Sequence, residues 1–365
     1  MISSTWSMTS STPTSAGMIK HLYTSGGWVN IPAVRSYQEQ QALPFCFCWG
    51  GRGIGKTYGA LSDARQRSLD DPTGRKKFIL VRRTQSQIDI IGKQDLSPFK
   101  RIDLDNGFFT ESRPISKFTT GFYSDGVLLG YAAALSTFSN LRGFDASDVD
   151  NIVFDEFIPE QHEKPIREEA EALLNLYETI NRNRELDGAP PVRMACYANS
   201  NRIDNAIFTG LGLVNVVEKM QKKRREQWEI RERGILLLSL DNSPVSQAKA
   251  ETALYKLSGK GSSFSKMALG NDFRAETGSR HGSRNIAEYS PVVRIGAHCV
   301  YEHKSTGEFY ICSIVSGSPE TYGTSAVELQ RFKTAHIWLW REYMAGNIVF
   351  RDLETEIEFR RWFGA

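Results

Sequence analysis

Residues 50–57 read G-G-R-G-I-G-K-T and follow a short apolar run, Pro44 to Trp49. They meet the pattern G-x-x-x-x-G-K-[S/T] at every fixed position. The pattern constrains the fold because its chemistry needs a strand before it and a helix after it. Gly50, Gly51, Gly53 and Gly55 let the backbone turn tightly, so that its N–H groups, including those of Arg52 and Ile54, surround an anionic phosphate. A helix starting near Lys56 adds its positive dipole end. Lys56 would then reach the β- and γ-phosphates of ATP, and the Thr57 hydroxyl would hold Mg²⁺. Both flanks agree: F-C-F-C-W reads as a strand, and Tyr58 to Ser68 suits a helix. The alternative, a glycine-rich turn with no ligand, has no need of that context.

Around this loop, strand candidates alternate with amphipathic stretches. The strands are Phe45–Trp49, Lys77–Val81, Asn151–Phe154 and Val192–Ala198; Thr84–Lys93 and Glu163–Arg184 have helical patterns. That alternation predicts an α/β fold with a mainly parallel sheet flanked by helices. Two β-rich runs around Ser124-Asp125-Gly126 predict a hairpin. The 365 residues allow two domains. The expected division is a flexible segment at 1–20, the phosphate-loop domain at 21–202, a linker or small subdomain at 203–284, and a second domain at 285–365. In the last, Val292–Tyr301 and Glu308–Ser316 read as strands, Ser325–Phe332 as a helix and Asn347–Phe350 as a strand.

Composition excludes some classes. A hydrophobic share of 40% and a charged share of 24% are ordinary for a soluble domain. No apolar run approaches the roughly 18 residues of a membrane span, so no membrane partner is expected. The serine-rich start lacks the apolar region of a secretion signal. Five scattered cysteines read as packing thiols rather than metal ligands. The net charge of +3 does not by itself argue for nucleic acid. The dense run Lys219, Lys222, Lys223, Arg224 and Arg225 offers phosphate-backbone contact; a solvated helix face is the other reading.

N-I-V-F-D-E at 151–156 supplies the second half of a nucleotide site. An apolar strand ending in Asp155 puts that carboxylate at the carboxyl edge of the sheet, where it would hold Mg²⁺. Glu156 is placed to orient and deprotonate a water. A kinase needs no such glutamate, and no guanine-reading N-K-x-D appears, so the pair favours ATP hydrolysis. Arg52, Arg142, Arg182 and Arg184 are candidates for neutralising transition-state charge, often from a neighbouring subunit; capping or surface roles compete for each. Asn199, at the next strand end, is placed to sense the γ-phosphate, with a turn-forming role as the alternative.

G-G-R-G-I-G-K-T at 50–57, V-R-R at 81–83, N-I-V-F-D-E-F-I at 151–158, L-L-N-L-Y-E-T-I-N-R-N-R-E at 173–185 and A-N-S at 198–200 together carry a family likeness. The chain resembles the DNA-packaging (encapsidation) ATPases of small podophages, the picovirus or salasvirus-like group, compact relatives of the large terminase subunits. The resemblance implies an N-terminal ASCE-type P-loop ATPase domain and a smaller C-terminal RNase H-like α/β domain. It also implies a homo-oligomeric ring, pentameric in relatives, on the portal of a preformed capsid. There, joined by a structural RNA, the ring would drive double-stranded genomic DNA inward. The setting would be the host cell cytoplasm and, transiently, the portal vertex.

Carried over by position, Lys56 and Thr57 bind phosphate and Mg²⁺, Asp155 holds the metal and Glu156 is the catalytic glutamate. Arg182 would be the trans-acting finger, Arg142 a second trans-acting residue and Asn199 the coupling residue. Arg82 and Arg83 match a pair near the nucleotide, with their individual roles open. Val292–Tyr301 contains no acid, and Asp352, Glu354, Glu356 and Glu358 have the spacing of a solvated helix face. No nuclease activity is therefore expected; a terminase-like active nuclease and an ATP-binding switch without translocation are the alternatives. With a DNA partner implied, Lys256, Lys260, Lys266, Arg280 and Arg284 join the basic run as candidate phosphate contacts.

Overall fold

Nine strands form one sheet in the computed structural model, which describes residues 17–141, 143–159, 163, 166, 168–199, 203–240, 243–249, 251–258 and 280–364. They are β1 (Phe45–Trp49), β2 (Lys77–Arg82), β3 (Glu111–Ser116), β4 (Thr119–Ser124), β5 (Val127–Ala134), β6 (Val149–Asp155), β7 (Arg193–Ala198), β8 (Gln227–Ile230) and β9 (Ile235–Ser239). Their order is β3-β4-β5-β2-β6-β7-β1-β9-β8. The six from β5 to β9 in that order are parallel. Antiparallel partners close both ends. Central parallel strands are covered on both faces, which is why their sequences are unbroken apolar runs.

Alternation along β1 divides the core. Phe47 and Trp49 join one cluster, with Leu173 and Leu176 of α5 (Glu169–Asn181), Phe208 of α6 (Ala206–Gly210) and Val217 of α7 (Val214–Lys222). Cys46 and Cys48 join the other, with Val34 of α1 (Ile31–Gln41), Leu61 of α2 (Lys56–Leu69), Ile88 of α3 (Gln85–Ile91) and Ile102 of α4 (Lys100–Asn106). All five cysteines are free and buried, as packing thiols should be. The predicted hairpin is β4–β5, turning through Asp125 at φ 49° and Gly126 at φ 80°.

The sheet does not stop at residue 202. Strand β9 pairs in parallel with β1, Phe45 opposite Ile235, so the part of 203–284 up to Ser239 extends the sheet rather than linking two bodies. Nor is the whole of 1–20 loose: Ile19 is buried and its N–H donates to Gln227 Oε1 at 2.9 Å. Residues 1–16 lie outside the described residues.

A second sheet has the order β10-β15-β13-β12-β11-β14. Its strands are β10 (Arg280–His281), β11 (Tyr289–Ile295), β12 (His298–His303), β13 (Phe309–Cys312), β14 (Glu320–Tyr322) and β15 (Ile348–Phe350). The single strand expected over Val292–Tyr301 is instead a hairpin. Gly296, at φ 54°, lets the chain reverse between Ile295 and His298. Helices Ala326–Met344 and Leu353–Phe363 bury Phe332, Leu339, Phe359 and Trp362 against the sheet.

The solvated face expected on the last helix is also corrected. Glu356 is 0% exposed, taking hydrogen bonds from Tyr343 at 2.8 Å and pairing with His281 Nε2 at 2.7 Å. Glu354 accepts from Asn215 Nδ2 at 2.9 Å, and Leu353 and Ile357 are buried in the first sheet's core. The helix has apolar partners on two sides, so Glu356 is enclosed between them and its carboxylate must be hydrogen-bonded. Among the described residues, no helix is long and apolar enough to cross a membrane.

Candidate functional site

Register brings the loop and the acids to one edge. Trp49 lies opposite Ala198 and Asp155 opposite Tyr197, so residues following β1, β6 and β7 leave the sheet together. Gly50, Gly53 and Gly55 all have positive φ, at 155°, 64° and 91°, which side chains strain to adopt. Gly55 is followed directly by α2, whose first N–H groups are uncapped by any side chain. The loop carbonyls of Gly50 and Gly51 accept from Lys56 Nζ at 3.0 and 2.7 Å. Burial pushes the Lys56 ammonium down to about 8, with Cys48 and Asp155 opposing the shift.

Thr57 Oγ1 donates to Asp155 Oδ2 at 2.9 Å. Arg82, at the end of β2, binds both acids: Nη2 lies 2.8 Å from Asp155 Oδ2 and Nη1 2.7 Å from Glu156 Oε2. Asp155 is 2% exposed, whereas the Glu156 side chain is 40% exposed. Glu156 also has a left-handed backbone, φ 60°. That conformation turns the chain as it leaves the strand, and the Glu156 N–H donates to Asp155 Oδ1 at 3.1 Å. Two carboxylates, a hydroxyl, a buried ammonium and a guanidinium thus meet beside a glycine cradle. Such a set can hold an anionic phosphate and a hard cation and present a carboxylate to a water.

Arg83 belongs elsewhere. It is fully buried, with Nε 2.7 Å and Nη2 3.2 Å from the Glu169 carboxylate and Nη1 3.2 Å from Glu163. Arg82 ends β2 and Arg83 is the next residue, and their side chains part there: Arg82 serves the edge cluster while Arg83 anchors the start of α5. Of the pair, Arg82 is the one that reaches the edge cluster. Helix α5 begins at Glu169, six residues later than its pattern suggested, and ends where Arg182 takes φ 45°.

Arg182 Nη2 donates to the Phe144 carbonyl at 2.7 Å, and Arg184 Nη1 to the Val149 carbonyl at 2.6 Å. Val149 begins β6, so Arg184 sits at the amino edge, roughly 20 Å along the strand from Asp155. Arg142, Ser200 and Asn201 lie outside the described residues, as do Lys260 and Lys266. Asn199 is half-buried and follows β7 at the carboxyl edge.

In the basic run, Lys219, Lys223 and Arg225 gather over the Trp228 ring at 5.7, 5.9 and 5.3 Å. Lys222 instead pairs with Glu218 at 2.7 Å. Arg224 is exposed beside them. Arg280 and Arg284 both pair with Glu308, at 2.9 and 3.0 Å.

Sequence reasoning missed Lys249, on α8 (Pro244–Lys249), which donates to the Arg52 carbonyl at 2.7 Å. Its one local signal was Gly53, a position the loop pattern leaves open. Trp28 was also missed: its indole packs on Gly55, 3.5 Å from where a Cβ would stand.

Comparison places the chain among known proteins. Residues 36–285 match the family described as Podovirus DNA encapsidation protein (Gp16). The DNA packaging protein of Bacillus phage B103 is 29% identical over 228 residues, 62% of this chain and 63% of that protein. That of Bacillus phage phi29 is 29% identical over 242 residues, 65% of each. The match thus spans just under two thirds of those relatives' length. The bacteriophage Phi-29 viral genome packaging motor assembly has a similar fold, with TM-score 0.65 at 22% identity over 92% of this chain and 98% of that one. So does the Phi-28 gp11 DNA packaging motor, with TM-score 0.57 at 20% identity over 87% and 93%. The fold is mixed α/β with a large, mainly parallel sheet, and by its matched residues this chain belongs to the Podovirus DNA encapsidation protein (Gp16) family.

Proposed function

We propose that this chain is the ATPase of a viral DNA-packaging motor, a ring at a capsid portal that couples ATP hydrolysis to inward movement of double-stranded DNA. The observation that carries the reading is the edge cluster. Thr57 bonds Asp155, and Arg82 bridges Asp155 and Glu156, beside the glycine loop. The loop glycines and Lys56 fit a triphosphate. The Thr57 hydroxyl and Asp155 carboxylate are hard oxygen donors of the kind Mg²⁺ takes when phosphates complete its shell. When bound, that ion neutralises phosphate charge. Glu156 orients and deprotonates the attacking water. Asn199 stands where a γ-phosphate sensor would.

Arg182 fits a finger for a neighbour's site, because it stands near the amino edge while its own loop is at the carboxyl edge. Arg142 is kept as the second trans-acting residue by resemblance alone. The basic residues around Trp228, with Lys222 and Arg224, offer phosphate contacts that read no sequence. Portal and structural RNA enter as proposed partners by the family resemblance alone. We assign the C-terminal body, a nuclease-like relic, no cleavage. Strands β11 and β13 carry no acid, and among the described residues no three His, Cys, Asp or Glu side chains are grouped to hold a metal.

The test is ATP-driven uptake of DNA into portal-bearing capsids. Wild-type protein should protect DNA from added nuclease. Glu156→Gln should bind ATP with near-normal affinity yet protect none, its turnover down by at least about a hundredfold. An ATP-binding protein that protects no DNA in its wild-type form would leave a switch, not a motor.

A further inference from the structure

Lys249 is far from the loop in sequence and touches it in space. Its Nζ donates to the Arg52 carbonyl across 197 positions. It lies so close to Gly53 that a Cβ there would stand 2.1 Å from the ammonium. Gly53, a free position in the loop pattern, is favoured by its φ of 64°, and any side chain there would have to push the tip of Lys249 aside. The placement is built by several contacts. Leu240 N–H donates to the Trp49 carbonyl at 2.9 Å, so the chain leaving β9 passes the start of the loop. A Cβ on Gly50 would meet Leu240 Cβ at 2.8 Å. The fully buried Ser243 donates to the Gly27 carbonyl at 3.1 Å and seats α8. Val29 N–H in turn donates to the Ile54 carbonyl at 3.0 Å. The ammonium therefore rests on a framework fixed on three sides.

Lys56 and Lys249 hold successive carbonyls of the loop, Gly50 and Gly51 by one and Arg52 by the other. Two like charges converge on one short turn. A neutral carbonyl is a weaker partner for an ammonium than an anionic oxygen. We propose that Lys249 is a second phosphate-binding lysine, which shifts from the Arg52 carbonyl to the terminal phosphate of a bound nucleoside triphosphate and so ties α8 to the nucleotide's charge state. This rests on the loop being a nucleotide site. Helix α8 is followed by α9 (Ala253–Ser258), so the contact gives the chain beyond the first sheet a direct report of whether the γ-phosphate is present.

The experiment measures binding of ATPγS and of ADP, each with Mg²⁺, to full-length wild-type protein, Lys249→Ala and Lys249→Arg by calorimetry. Loss of one charge-assisted hydrogen bond should weaken ATPγS binding to Lys249→Ala roughly tenfold. ADP affinity should stay within about twofold, and Lys249→Arg should restore most of the difference. Equal loss for both nucleotides would make Lys249 a structural support of the loop, and no loss would make it a bystander; either overturns the proposal. Wild-type protein that binds neither nucleotide would instead overturn the reading of the loop itself.

Discussion

Arg82 balances the charge of the site. Asp155 is buried and Glu156 half-exposed, and one guanidinium spans both. Removing it leaves two carboxylates side by side, one without solvent. Arg82→Ala should lower stability by roughly 3 kcal/mol. Excess Mg²⁺ and ATP should narrow that gap, since the ion brings positive charge to the same carboxylate and binding stabilises the folded state. Thermal denaturation with and without Mg²⁺–ATP measures this; a gap that is the same in both would show that Arg82 does not stand in for the metal's charge. At this scale the sequence was legible where chemistry is local. Lys56, Thr57, Asp155 and Glu156 were readable because strand ends and loop spacing dictate their places. Arg82 could be told from Arg83 only by where β2 ends and which way each side chain leaves it. Lys249 was illegible because its neighbourhood is made by the parallel register of β9 on β1.

Helix α5 shows how an element is set by what its ends need. Its apolar stripe was plain in the sequence, but its start was not. Glu169 is the first helical residue, and Arg83, one residue past β2, meets it in a pair shielded from water. Breaking such a pair strands a buried charge. Arg83→Met should therefore cost about 3–5 kcal/mol in a urea titration, with ATP affinity of the folded protein nearly unchanged. Lost affinity at full stability would return Arg83 to the nucleotide. The far end of α5 breaks at Arg182, whose φ of 45° no helical pattern foretells. The acids of the last helix were misread for a related reason: i,i+4 spacing gives a face but not what covers it, and here Tyr343 and His281 cover Glu356.

In the whole molecule, the nucleotide edge and the arginine at the end of α5 are separated by the strand length of the sheet. A subunit alone cannot bring Arg182 to its own loop without unfolding β6. Arg182→Ala should lose ATP turnover by about three orders of magnitude. Rings mixed with Glu156→Gln subunits should regain part of it wherever an intact arginine faces an intact glutamate. Turnover that persists in pure Arg182→Ala rings would move the finger to another arginine. Two sheets follow the strand rhythm of the sequence, but no local pattern announces that the last helix packs into both of their cores. It buries Leu353 and Ile357 in the first core while Phe359 and Trp362 sit in the second. Truncation carries a hazard as a result. A protein cut after residue 285 would lay bare the apolar surface of the first core that Leu353 and Ile357 cover, an oily scar beside α7. Copies of such a fragment would stick to one another there, and a clump formed that way would say nothing about whether intact subunits form a ring.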